Sequence, residues 1–131
     1  MQLSHAYLRV MRVPPGQLIA LSADDTLDVA SMRAAVLFVL AEWSGASQLS
    51  FRALNEVLAE MPDVTKAISL YIIDTGSAAA REFMKEAGDV PAGSGETYWI
   101  RKGTIVGRLA SCTEAAKDTI RQLTRTLSEG S

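Results

Sequence analysis

The chain is expected to fold as an α/β domain, a mixed five-stranded sheet with helices on both faces. Three observations carry that expectation. Short apolar runs rich in β-branched residues, Ala35–Ala41 and Ile68–Ile73, suit strands buried on both faces of a sheet. Between them, Phe51, Leu54, Leu58 and Met61 fall at helical spacing on one face. Near the end, Thr97–Ile100 and Thr104–Leu109 flank Arg101-Lys102-Gly103, the pattern of a β-hairpin.

Taken in order, residues 3–13 place Leu3, Tyr7, Val10 and Met11 at helical spacing, while Leu8, Arg9 and Val10 also alternate as an edge strand would. A short helix is the preferred reading. Pro14-Pro15-Gly16 ends it, because neither proline can donate a backbone hydrogen bond. Leu18–Leu21 reads as a first strand. Ser22-Ala23-Asp24-Asp25 then offers caps and negative charge to a helix running through Arg33. The central strand follows, and its helix ends near Met61-Pro62-Asp63. The strand Ile68–Ile73 stops at Asp74-Thr75-Gly76, Ser77–Ala87 is helical, and Gly88 is a natural stop. Asp89–Glu96 is a glycine-rich loop. After the hairpin, Ser111 and Glu114 have capping-box spacing before a last helix with Ala116, Ile120, Leu123 and Leu127 inward. The order β-α-β-α-β-α-β-β-α calls for parallel crossovers and a final antiparallel pair.

At 131 residues, 48% hydrophobic and with no internal repeat, the chain fits one domain, with a core over residues 17–128 and an N-terminal extension over 1–16. A net charge of -2 leaves no basic footprint for nucleic acid. Cys112 is the only cysteine and His5 the only histidine, so neither a disulfide framework nor a multi-ligand metal cluster is expected, and no cofactor is implied. His5 reads as a solvated terminal residue. No apolar stretch approaches the roughly 20 residues that span a membrane. The first residues lack the basic start and apolar run of a secretory signal, so a cytoplasmic protein is expected.

The segment Ala41-Glu42-Trp43-Ser44-Gly45-Ala46-Ser47, between apolar strand and helix, resembles the active-site unit of thioredoxins, with its Trp-Cys-Gly-Pro-Cys signature. The resemblance extends over about residues 17–128, including the strand end Leu70–Asp74, and implies the thioredoxin-like sheet and a client-binding face. It also implies where redox chemistry would sit. Ser44 and Ser47 hold the positions of the nucleophilic and resolving cysteines, and so form a degenerate catalytic pair. Thiol–disulfide exchange needs a thiolate, and a serine hydroxyl has no disulfide form to cycle through. Phe38 stands where the family has a buried aspartate, Leu70 where it has a lysine, and Gly95 or Glu96 where it has a cis-proline; Pro91 is several residues too early. Without a base within reach, Ser44 is read as an N-cap and Ser47 as a first-turn polar residue.

The expected function is therefore a redox-inactive thioredoxin-like protein that binds another protein, or a second copy of this chain, through the former active-site face. A chaperone-like, assembly or inhibitor role would follow. The expected binding residues are Trp43, Gly45, Ala46, Gly93, Ser94, Gly95 and Glu96. Trp43 reads equally as a binding anchor and as a residue packed over its own domain's edge. The alternative is a thiol–disulfide oxidoreductase represented by a Cys-to-Ser variant at Ser44 and Ser47. A weaker third reading places a ligand in the Gly93–Glu96 loop, although Gly93-Ser94-Gly95 fits no phosphate-loop pattern. Cys112, near a helix start, is expected to be a small buried residue.

Overall fold

Five strands form one sheet in the order β1-β3-β2-β4-β5 in a computed structural model, which describes residues 18–22 and 24–128. They are β1 (Leu18–Ala20), β2 (Ala34–Leu40), β3 (Ser69–Asp74), β4 (Thr97–Arg101) and β5 (Thr104–Leu109). β1 and β2 both pair parallel with β3. β4 lies antiparallel between β2 and β5. The helices are α1 (Gly45–Ala59), the short α2 (Pro62–Thr65), α3 (Ala78–Glu86) and α4 (Lys117–Ser128).

The mixed sheet is the expected one, and the strand bounds agree to within a residue or so. β2 sits at its centre, and Ala35 to Leu40 are buried, as a strand covered on both faces requires. Alternation along β2 sorts the core into two clusters. Val36, Phe38 and Leu40 join Phe51, Leu54, Leu58, Leu70, Trp99 and Ile120 under α1 and α4. Ala35, Leu37 and Val39 join Ile73, Phe83, Met84 and Tyr98 on the opposite face, under α3. Phe38 and Leu70, where the resemblance led one to look for charges, are both fully buried.

Two helical expectations are corrected. Among the described residues between β1 and β2 only a 3-10 turn, Val29–Ser31, takes helical form. Short polar side chains favour local turns there. Asp25 donates its backbone N–H to the Ser22 carbonyl at 3.1 Å, while its carboxylate accepts from the Ser22 N–H at 2.7 Å. The last helix starts at Lys117, not after a Ser111 cap. Thr113 instead caps a 3-10 turn over Glu114–Ala116, its hydroxyl accepting from the Ala116 N–H at 3.2 Å. The hairpin turn takes positive φ at Lys102 and Gly103, and Gly88, at φ +82, closes α3 as expected. The expected helix within residues 3–13, its Pro14-Pro15-Gly16 stop and His5 lie outside the described residues.

Candidate functional site around Trp43 and the glycine loop

β2, the central strand, delivers its last residues to one end of the sheet, and the chain turns there into α1. Ser44 is the N-cap, in extended conformation, and its hydroxyl accepts from the Ser47 N–H at 3.3 Å. Ser47 does more than its expected first-turn role. It is fully buried, and its hydroxyl accepts from the Ala41 N–H at 3.0 Å, tying the end of β2 to the first turn of the helix. Both serines are thus committed to backbone bonds at this junction.

Trp43 projects from the same turn and is 78% exposed. Its ring nevertheless lies against the glycine loop: a Cβ added to Gly93, at φ +71, would stand 2.7 Å from the indole Cη2. Gly95, at φ +86, is held closer still, since a Cβ there would meet the Ser50 Cβ at 2.4 Å and Phe38 at 3.2 Å. Only glycine fits this backbone. Gly45 and Ala46 are exposed on the first turn of α1, beside exposed Leu49. The fold therefore brings Trp43, Gly93 and the start of α1 to one edge.

Ser50 fastens the loop from below. Its hydroxyl donates to the Ser94 carbonyl at 2.7 Å and accepts the Cys112 N–H at 3.1 Å. The Ser94 hydroxyl donates to the Ala110 carbonyl at 2.6 Å, and the Thr97 hydroxyl donates to the Gly95 carbonyl at 2.9 Å. The Cys112 thiol points to the Thr97 hydroxyl at 3.4 Å. Burial pushes that thiol up to about 11, away from the thiolate range at neutral pH. Ser50 was missed in the sequence, where the available signal was a second small polar residue three positions after Ser47, on the helix's apolar stripe.

Glu96 turns inward. It is buried, and its Oε2 accepts from the Ala92 N–H at 2.7 Å while Oε1 is buried with no hydrogen-bond partner. Its carbonyl accepts from the Val39 N–H at 2.9 Å, extending the pairing of β2 with β4. Beside it, the Tyr98 hydroxyl donates to Asp89 at 2.6 Å, and Arg108 donates to Asp89 at 3.1 Å. Burial, with the Asp89 hydrogen bond second, raises the Tyr98 phenol above its ordinary range.

A groove of about 430 Å³ runs between the start of α1 and residues 111–114, with Ala46, Leu49 and Ala53 on one wall and Ser94 and Thr113 on the other. Arg52, Glu56 and Glu114 also line it, and the Ser50, Ser94 and Thr113 hydroxyls within it are engaged in hydrogen bonds to backbone. Among the described residues no group of three or more His, Cys, Asp or Glu side chains is placed to hold a metal ion. No helix among the described residues is long and apolar enough to cross a membrane.

No protein-family model matches the sequence, and no curated protein matches it. Solved structures do. Thioredoxin from Trypanosoma brucei brucei superposes with a TM-score of 0.62 at 16% identity, over 91% of this chain and 97% of that one. Malassezia sympodialis thioredoxin gives 0.62 at 16% identity, over 86% and 96%. Desulfothioredoxin from Desulfovibrio vulgaris Hildenborough gives 0.59 at 14% identity, over 82% and 96%. At these identities the likeness establishes a thioredoxin-like fold, the architecture that the Ala41–Ser47 segment implied.

Proposed function

We propose that the protein binds another protein, non-covalently, through the edge formed by Trp43, Gly45, Ala46 and the glycine loop. One observation carries the reading. A tryptophan 78% exposed lies against Gly93, at the place where a thioredoxin-like fold presents its active site. A large aromatic held out of water by so little of its own domain is the type of side chain that anchors interfaces. Leu49, 64% exposed at the mouth of the adjoining groove, extends the apolar area. Loops on a rigid sheet are a common place for recognition.

The reading is redox-inactive. The one cysteine of the sequence, Cys112, is buried with a raised pKa, and the serines at the two cysteine positions bond to backbone. A lone cysteine also suits a reducing compartment, consistent with the cytoplasm. A chaperone-like, assembly or inhibitor role fits equally well. Because no disulfide is involved, the complex should survive reducing agent, and the protein should not accelerate insulin reduction by dithiothreitol.

The test is capture of partners from the native host, in reducing buffer, by the parent and by Trp43→Ala combined with Ala46→Arg. The double variant removes the anchor and adds a bulky charge on the exposed first turn, leaving the core untouched. Loss of a partner that the parent retains is the expected result, followed by reconstitution with that partner purified. Equal retention by a folded double variant places the binding surface elsewhere. A second copy of this chain among the captured partners would identify a homodimer.

A further inference from the structure

A small cavity beside the glycine loop gathers charges that do not balance. It holds about 220 Å³, less than the ~300–1,000 Å³ of sites for drug-sized ligands, so it suits a ligand of few heavy atoms. Asp89, Glu96, Tyr98 and Arg108 give it polar groups, and Val90 and Leu109 give it apolar surface. The Arg108 Nη1 donates to both Asp89 carboxylate oxygens at 3.1 Å and to the Ala87 carbonyl at 2.8 Å. The Tyr98 hydroxyl donates to the same carboxylate. One guanidinium thus offsets one carboxylate, and Glu96 is left over. Glu96 is also short of donors. It is 6% exposed, and its Oε2 is held by the N–H of Ala92, itself part of the lining, so the carboxylate stands at the cavity wall. Its Oε1 is buried with no hydrogen-bond partner among the described residues. A buried acceptor without a donor is costly, and more so when charged. Burial first, then Asp89, then the Glu96 charge raise the Tyr98 phenol above its ordinary range, so Glu96 and Tyr98 are electrostatically coupled.

We propose that this cavity binds a primary ammonium group on a short alkyl stem, with Glu96 as its counter-ion. The chemistry follows from what the wall lacks, a positive charge and hydrogen-bond donors. An ammonium brings one charge and three donors on a compact head. The Glu96 carboxylate and the lone pairs of the Tyr98 hydroxyl are acceptors for it, and Val90, 82% exposed, with Leu109 offers apolar contact to the stem. A calcium ion would want six or more oxygen ligands, and of the two carboxylates here one is already held by Arg108. Because Oε1 is closed to bulk water, the ammonium reaches it as the loop gives way, so binding and a shift of residues 92–96 go together. The lining shares only Ser94 with the groove beside Trp43, so this inference and the reading of that edge can fail separately.

The test is a titration of the 15N-labelled full chain at neutral pH and constant ionic strength. The probes are n-butylammonium chloride, Nα-acetyl-lysine methylamide, and tetramethylammonium chloride, which has the charge but no N–H donor. Amides of Ala92, Glu96 and Tyr98 should shift saturably with at least one of the first two, while those of Gln122 and Arg125 on α4 stay put. The tighter of the two tells whether a free amine or a lysine side chain is the source. Glu96→Gln should weaken the affinity by roughly tenfold, the loss of one charge-assisted hydrogen bond. Arg108→Gln, at a side chain 54% exposed, should tighten it, because the cavity becomes more negative. Glu60→Gln, at an exposed carboxylate elsewhere, should leave it unchanged. Shifts that never saturate, that tetramethylammonium reproduces, or that survive Glu96→Gln undiminished would overturn the proposal. Should Glu96→Gln unfold the chain, weaker binding by Arg108→Gln would overturn it alone.

Discussion

The two faces of the sheet share a strand alternation but differ in how they are held. On the first, Trp99 donates its indole N–H to the Thr124 hydroxyl at 3.1 Å, and Thr124 in turn donates to the Ile120 carbonyl at 2.7 Å, so β4 and α4 are joined inside the core. Phe38 and Phe51 meet at 5.1 Å between ring centroids. On the second face Phe83 stands edge-on to Tyr98 at 4.8 Å, and among the described residues α3 is the one helix over it, beside a cleft. Among the described residues, the same sheet thus carries two long helices where the glycine loop and the start of α1 are positioned, and one shorter helix on the side away from them. Precision at the Trp43 edge is inherited from the first face.

Breaking the first face should have the largest effect. Phe38→Asp places a carboxylate in a fully buried cluster in which no cation stands. The cost is expected at about 3–5 kcal/mol, that of an uncompensated buried charge. The variant should be unfolded, or melt far below the parent, by circular dichroism. A midpoint equal to the parent's would mean that Phe38 does not face this core.

A matched pair of truncations sharpens the contrast. Phe51→Ala empties space at a side chain with no exposure, under α1, and should cost about 3–5 kcal/mol. Phe83→Ala acts at a residue 8% exposed, beside a cleft into which neighbours can relax, and should fall at or below the low end of that range. Urea unfolding of both variants decides it. Equal losses would show that the second face is as tightly determined as the first.

Alkali should act on the first face through Cys112. Its folded pKa, about 11, lies above the ordinary value near 9, and burial is the main cause. A group whose folded pKa is raised contributes stability that is intact below the unfolded value and lost as pH rises through the folded one. Stability should therefore decline between about pH 9 and pH 11, by order 2 kcal/mol from this thiol. Tyr98, shifted in the same direction, adds to the decline on the second face. Cys112→Ala should flatten part of the slope, whereas a slope identical to the parent's would assign it elsewhere.

How much of this was legible in the sequence depends on the range of the interaction. Strands and their order were readable, because Ala35–Ala41 and Ile68–Ile73 leave little alternative to burial on two sides. The Ser44 cap and the Gly88 stop were readable because they act within a few residues. The missing helix after β1 was misread: acidic residues at a helix start look alike in sequence whether they cap a helix or, as with Asp25 and Ser22, close a local turn. Long-range bonds were invisible. The Ser50 hydroxyl meets Ser94 and Cys112 across 44 and 62 residues, and no local pattern announces either partner. Glu96 was read in sequence as a binding residue of the glycine loop, and its hydrogen bond to the Ala92 N–H, which accompanies its inward turn, has no local sequence signal.

The smallest expected effect comes from the ion pairs that bridge α1 to α4 over the first face. Lys117 meets Glu56 at 2.6 Å, and Arg121 meets Glu60 at 2.9 Å. The Glu60 carboxyl is held below its ordinary range, chiefly by the Arg121 hydrogen bond, and the guanidinium is raised in turn. The Glu56 and Glu60 carboxylates remain exposed while Lys117 and Arg121 are partly buried, and at exposed carboxylates screening and side-chain entropy cancel most of the Coulomb attraction. Glu60→Gln should accordingly leave the urea midpoint within error of the parent's at moderate salt. Any contribution should show only at low ionic strength, and it should fade as pH drops through the carboxylate range, since a depressed pKa stabilises from above. The apolar contacts between α1 and α4 should carry the bridge without it. A clear destabilisation by Glu60→Gln at high salt would reverse that order, and would make the charged seam, rather than Phe38, Phe51 and Trp99, the reason the first face is the firmer one.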